Sequence, residues 1–194
     1  MVEVMVTLSI LTVVLVAVFS LLFNVQRGYG RQVDRAASVE QARYASEEIQ
    51  HEILSARAVT VPTAGQGLTM DAWTRTNELS RSSTLLGSCV QWQVYNGALW
   101  VRHWIPPYTS AQVALASWGI VTRGITNSAP AKPLFVIDPN SAYANRLVNI
   151  TIRVNANPSS GGNDVVIAAS VFGRNITYGT ADPCASSQPT SQPT

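Results

Sequence analysis

The chain begins with Met1-Val-Glu-Val-Met-Val-Thr-Leu-Ser-Ile-Leu-Thr-Val-Val-Leu-Val-Ala-Val-Phe-Ser-Leu-Leu-Phe-Asn-Val25, and this stretch decides the fold. From Val4 to Phe23 the side chains are apolar except for two threonines and two serines. As an α-helix, this run would rise about 30 Å, which is the thickness of the hydrocarbon core of a bilayer. Residues 1–25 are therefore predicted to form a membrane-spanning helix.

Glu3 is the one charged side chain in this stretch. A charge at the centre of a membrane helix costs roughly 2.5–3.5 kcal/mol on insertion scales, so an acid in a span is a functional hypothesis by default. The alternative is that Glu3 sits among the lipid headgroups, because it lies at the edge of the span. A secretory signal peptide fits less well, since such a signal has a basic start, a shorter apolar core and a small-residue cleavage site.

Residues 26–60 continue the helical pattern and are predicted to form an amphipathic stem. Pro62 disfavours helical geometry at Val61, so the helix should end by about residue 60. One apolar stripe recurs at spacings of three or four residues and should pack on a sheet. Its members are Ala42, Ala45, Ile49, Ile53 and Ala56.

Residues 61–184 carry strand patterns and are predicted to form a β-rich head. Two alternating runs flank Asn96-Gly97, the strongest short signal for a hairpin, which would place Val94 opposite Leu99. One face of this hairpin should pack in the core, and the other should be wetter, that is, more exposed to solvent. The core face comprises Val90, Trp92, Val94, Leu99 and Val101, and the wetter face comprises Gln91, Gln93, Tyr95, Trp100 and Arg102.

A second hairpin is predicted from residues 146–154 and 165–172, with shorter strands at 134–138 and 118–122. The head should then be one antiparallel sheet of four to six strands laid against the stem. The fold class is α+β, with a long N-terminal helix packed on a sheet. Residues 185–194 repeat Ser-Gln-Pro-Thr and contain no large apolar side chain, so this tail is predicted to be disordered.

The first residues also carry a family signature. From Val2-Glu3 onward, the sequence Val-Glu-Val-Met-Val-Thr-Leu-Ser-Ile-Leu resembles the start of type IV pilins and of the pseudopilins of type II secretion. The size and the sheet-rich head resemble the minor pilins and J-type pseudopilins. Met1 stands where the family has Leu, and the leader and cleavage-site Gly are absent. We expect upstream DNA to encode a basic leader that ends in Gly-Phe-Thr.

The resemblance implies a function for Glu3 and for the apolar residues that follow it. In the family, the glutamate neutralises the free amino terminus of a neighbouring subunit inside a filament, and paired charges are tolerated in a low dielectric. The subunit-assembly residues would be Glu3, Val4, Leu8 and Leu11. The implied partners are other pilins or pseudopilins, a prepilin peptidase, the membrane assembly platform and the lipid bilayer. The implied location is a single pass through the inner membrane with an extracytoplasmic head, followed by the filament.

Arg27, Arg31 and Arg35 follow the span on one helical face. They fit a solvated face that contacts headgroups, or a contact with acidic stems of neighbouring subunits. Nothing basic precedes the span, so the positive-inside rule at face value would put the head in the cytoplasm, unless a basic leader has been lost.

Cys89 and Cys184 are the only cysteines. If the head is exported, they are expected to form a disulfide worth about 4–5 kcal/mol in the chain-entropy model, and many pilins tie the C-terminal part of the head in this way. Two free buried thiols are the alternative. A metal site fits less well, because the cysteines and the two histidines lack the spacing of zinc ligands.

No catalytic, cofactor-binding or metal motif stands out, so we predict no enzyme and no cofactor. The net charge of +2 gives no reason to expect nucleic-acid binding. The alternative to a filament subunit is a single-pass anchor that displays an extracytoplasmic binding domain. Its candidate surface comprises Tyr95, Trp100, Trp104 and Tyr108.

Overall fold

The computed structural model describes residues 2–62, 67–75, 87–105, 117–139, 146–157, 163–174, 176, 184 and 192–193. One long helix, α1, is followed by eight strands in this part of the chain. Their bounds are α1 Val2–Ser55, β1 Ala56–Thr60, β2 Thr69–Arg75, β3 Gly87–Tyr95, β4 Ala98–Trp104, β5 Gly119–Arg123, β6 Phe135–Ile137, β7 Leu147–Val154 and β8 Val165–Phe172. The α+β class is confirmed.

The strands form two antiparallel sheets, whereas the sequence predicted one. The larger sheet has the order β1-β2-β3-β4-β5 and the smaller has the order β6-β7-β8. The two sheets meet where Ile125 bridges Val154 and where the Thr126 amide donates to the Arg153 carbonyl over 2.9 Å. Both predicted hairpins and both shorter predicted strands are present, but β1 and β2 were not predicted.

The helix ends at Ser55, five residues before the expected limit. Residues 56–60, predicted to be the last helical turn, instead form β1 and pair with β2, with Val59 opposite Ala72 and Thr60 opposite Asp71. Branched side chains such as Val59 and Thr60 lose rotamer freedom in a helix and favour a pleated strand. The paired edge of β2 supplies the hydrogen bonds that a helix end would have left unmade.

The β3–β4 hairpin has the predicted register. Val94 lies opposite Leu99, Trp92 opposite Val101 and Val90 opposite His103. The two turn residues, Asn96 and Gly97, have φ angles of 48° and 68°. Positive φ at both positions is what a type I′ turn requires, so the turn chemistry fixes this register.

The second half of α1 supplies one wall of the main core. Ala42, Ala45, Ile49 and Ile53 are fully buried against the two sheets, as the stripe predicted. Small residues on this face let the helix approach the sheet closely, and the isoleucines fill the space between the layers. The sheets contribute mainly large apolar side chains to the same core, including Met70, Trp92, Leu99, Phe135, Ile150 and Ile152.

The outer face of the β3–β4 hairpin is not the wet surface that was predicted. Gln91 and Arg102 are 5% and 4% exposed. Cys184 reaches this face through a disulfide to Cys89, 95 positions earlier, and forms a second buried cluster with Trp104. The predicted disulfide is therefore present. The disulfide brings a distant segment of the chain to a face whose alternation alone indicates exposure.

We expect Ile53→Ala to lower the free energy of unfolding by about 2–5 kcal/mol, because a fully buried side chain is removed from the helix–sheet contact. Leu54→Ala is the matched control. Leu54 is 45% exposed, so its loss should cost about 0.5 kcal/mol. Urea unfolding of the full chain in detergent micelles, followed by tryptophan fluorescence, measures both. Equal losses would contradict the assignment of the buried face.

Candidate membrane and assembly surface

The first half of α1 is exposed on all sides. Its large apolar side chains from Val2 to Val25 are open to solvent, and its most apolar 18-residue window has no buried residue. By length and composition, α1 could cross a membrane. Burying apolar area stabilises by about 25 cal/mol per Å², so this surface favours lipid or protein around it.

The polar side chains of this span are satisfied within the helix itself. Thr7, Ser9, Thr12 and Ser20 donate to main-chain carbonyls three or four residues earlier, over distances of 2.7–2.9 Å. A hydroxyl without a partner in an apolar medium costs several kcal/mol, whereas a hydroxyl bonded to its own helix does not carry that cost. The four residues that interrupt the apolar run are therefore compatible with a hydrocarbon surrounding.

The residues predicted to mediate assembly lie on this exposed surface. Glu3 is in the first turn of α1, where the partial positive charge of the helix terminus favours a carboxylate. Val4, Leu8 and Leu11 are spaced by four and three residues and share one face. All four side chains are exposed. They form a surface that is free to contact lipid or another stem.

The four aromatic residues proposed as a head surface do not form one surface. Trp104 is 1% exposed and packs beside the disulfide, so it is not available to a ligand. Tyr95 is 37% exposed, and the half-buried Trp100 donates its indole N–H to the Tyr95 carbonyl over 3.1 Å. Tyr108 lies outside the described residues. What remains of the candidate surface is the Tyr95–Trp100 pair.

Three buried polar residues form a row across the middle of the larger sheet, and their burial was not predicted from the sequence. Asp71 on β2 lies opposite Gln91 on β3, which lies opposite Arg102 on β4. The Arg102 guanidinium sits 4.3 Å from the centre of the Trp118 ring and 5.6 Å from that of Trp104. A cation over an indole face is stabilised by the ring quadrupole, so the two tryptophans hold the Arg102 guanidinium in place within the row.

The alternation of polar and apolar residues does place Asp71, Gln91 and Arg102 on one face of the sheet. What it lacks is any sign that this face will be buried. Gln192 also comes within hydrogen-bonding distance, 3.5 Å, of Gln93 on the same face, and Pro193 is buried. The rest of the predicted tail, residues 185–194, lies outside the described residues.

Glu52 is the stem residue whose titration is most affected by the head. Burial raises the pKa of Glu52 above its ordinary value, and Glu48 raises it further. The positive charges of His103 on β4 and of His51 act in the opposite direction and lower the pKa. Within the described ranges, no three His, Cys, Asp or Glu side chains are grouped as a metal ion would require.

The raised pKa of Glu52 predicts a pH dependence of stability. The folded chain holds this proton above the ordinary glutamate pKa of 4.5, so the free energy of unfolding should fall as the pH rises from 4.5 through the raised value. Glu52→Gln should remove that fall and leave a flatter profile. Glu40→Gln, at an exposed stem position, should keep the wild-type profile. Urea unfolding across this pH range compares the three, and identical profiles would contradict the burial of Glu52.

Comparison with protein-family models, curated proteins and solved structures finds no match to this chain.

Proposed function

We propose that this protein is a structural subunit of a type IV pilus or of a type II secretion-like filament, in the manner of a minor pilin or pseudopilin. The observation that carries the proposal is the division of α1. Its second half is built into the core of a head, and its first half is an apolar rod with no protein cover. An apolar helix of this kind is stable in a membrane and can pass from there into a bundle of similar helices.

Assembly would exchange lipid contacts for helix–helix contacts along the span. The hydrophobic effect is nearly equal in the two surroundings, so specificity must come from packing and from polar pairs. Glu3 is the one charged group available in the span for such a pair. By the resemblance stated above, its carboxylate would neutralise the amino terminus of a neighbouring subunit, while Val4, Leu8 and Leu11 pack against the neighbouring stem.

The proposal places the chain first in the inner membrane as a single-pass protein with its head outside, and then in the filament. Its partners would be other pilins or pseudopilins, the assembly platform and, where a leader is encoded, a prepilin peptidase. The disulfide supports an exported head, since disulfides persist in oxidising compartments.

A plain membrane anchor that displays a binding head is the second candidate. The partly exposed Tyr95–Trp100 pair is the observation in its favour, because aromatic residues are enriched at the interfaces where proteins bind one another. The two candidates differ in their need for Glu3. A filament subunit requires the carboxylate for a partner, whereas an anchor requires only the length and apolarity of the span.

Glu3→Ala tests the proposal in cells that carry the assembly machinery. The variant should reach the membrane normally but should be lost from sheared filaments by at least about tenfold, since the amino terminus of the neighbour would be left unpaired in a low dielectric. The control is Glu40→Ala, which removes an exposed acid from the stem outside the span. Immunoblots of membrane and filament fractions give both amounts. Normal incorporation of Glu3→Ala would favour the plain anchor.

A further inference from the structure

Three arginines follow the apolar span on the exposed part of the stem. Arg27, Arg31 and Arg35 are spaced by four residues, so they form one row that turns by only about 40° per step. All three side chains are exposed. Among the described residues, none of the three forms an ion pair or a hydrogen bond through its side chain. We refer to them as the arginine row.

The arginine row lies on the side of the stem that the head covers farther along. Each arginine is seven residues, about two helical turns, before a residue at the head contact, and these residues are Asp34, Ser38 and Ala42. Two hydrogen bonds join the stem to the edge of the head that lies nearest the apolar half of α1. We refer to this edge as the rim of the head. The Ala156 amide donates to Ser38 Oγ over 2.9 Å, and Asn157 Nδ2 donates to Asp34 Oδ2 over 3.1 Å.

Arg27 and Arg31 therefore occupy the gap between the bilayer and the head, whereas Arg35 lies level with the first head contacts. From Val25 to Asp34 the helix rises about 13 Å, and the headgroup layer of one leaflet takes up roughly 5–7 Å of that distance. Arg27 lies within this layer and Arg31 near its outer edge. Side chains on a helix point back toward its N-terminus, which here is the direction of the membrane.

We infer that the two membrane-proximal arginines of the row, Arg27 and Arg31, bind the phosphates of anionic phospholipids at the surface from which the stem emerges. Guanidinium groups form two parallel hydrogen bonds with a phosphate, and their long aliphatic stems lie along apolar surface while the charge stays at the interface. The one acid between Asn24 and Val39 is Asp34, and its carboxylate is already held by Asn157. Arg27 and Arg31 thus place two positive charges near headgroup height, and the single negative charge of Asp34, higher on the stem, offsets them only in part.

This inference rests on the span lying in a bilayer, as in the proposed function, but not on filament assembly. The sequence left two candidate partners for these arginines, the lipid headgroups and the acidic stems of neighbouring subunits. This inference selects the headgroups. Extraction of a subunit into a filament would then have to break these phosphate contacts. Arg27 and Arg31 would set the depth of the stem in the membrane before assembly.

The test uses the full chain in nanodiscs made of equal parts phosphatidylcholine and phosphatidylglycerol. Native mass spectrometry counts the phospholipids that stay bound. The wild-type protein should retain phosphatidylglycerol over phosphatidylcholine, by about fivefold for each arginine that holds a phosphate. The double variant R27Q/R31Q should bring the ratio close to that of the bulk membrane.

Arg43→Gln is the control, because Arg43 is an exposed stem arginine that lies beyond the rim of the head and pairs with Glu47. It should leave the lipid ratio unchanged. A bulk-like ratio for the wild-type protein, or an equal effect of the control and the double variant, would overturn the inference. An unchanged ratio in R27Q/R31Q together with lost stem–stem crosslinking would assign these two arginines to a second copy of the chain. A wild-type protein that fails to insert at all would instead refute the membrane span.

Discussion

The structure depends on one helix that is buried by the head along one face of its second half and is exposed along its first half. Along its second half, the stripe from Ala42 to Ile53 is buried beneath two sheets, whereas the first half is far richer in apolar residues and leaves them exposed. Apolar area stabilises only when it leaves water, at about 25 cal/mol per Å². The head therefore needs the second half of α1 to complete its core, and the first half needs an environment that the described part of the chain does not provide.

The boundary between these two halves is polar and well defined. Ser38 donates to the Asp34 carbonyl and accepts from the Ala156 amide, while the Asp34 carboxylate accepts from Asn157. These contacts fix the height at which the head begins on the stem. Below them the helix continues without interruption through Gly28 and Gly30 to Val2. A continuous helix fixes the distance between the span and the head.

The sequence predicted those features that depend on local pattern. The buried stripe of α1 follows from helical spacing, and the register of the β3–β4 hairpin follows from the backbone angles that Asn96-Gly97 demands. The hydroxyls of the span could also have been anticipated to bond within the helix. Each of these features involves residues fewer than about ten positions apart, where geometry is set by propensity and turn chemistry.

The features that the sequence reasoning missed depend on contacts between distant segments. β1 exists because β2 offers it an edge, and no local signal within residues 56–60 outweighed the continuing helical pattern. Trp104 is buried in a cluster with Cys184, which lies 80 positions away along the chain, and Arg102 lies over the ring of Trp118. At the candidate surface, the exposure of Glu3 and of the span was predictable from composition. The loss of Trp104 from the aromatic surface was not.

The most direct test of this account is the accessibility of single spin labels placed along the stem of the full chain in lipid vesicles. Labels from residue 4 to residue 23 should be reached by oxygen on every helical face and should be shielded from a water-soluble nickel reagent. Labels at residues 42, 45 and 49 should be shielded from both, and nickel access should begin between residues 24 and 31. A helical period of protection within residues 4–23, or nickel access there, would show that this half of α1 is covered by protein or exposed to water, and would contradict the account.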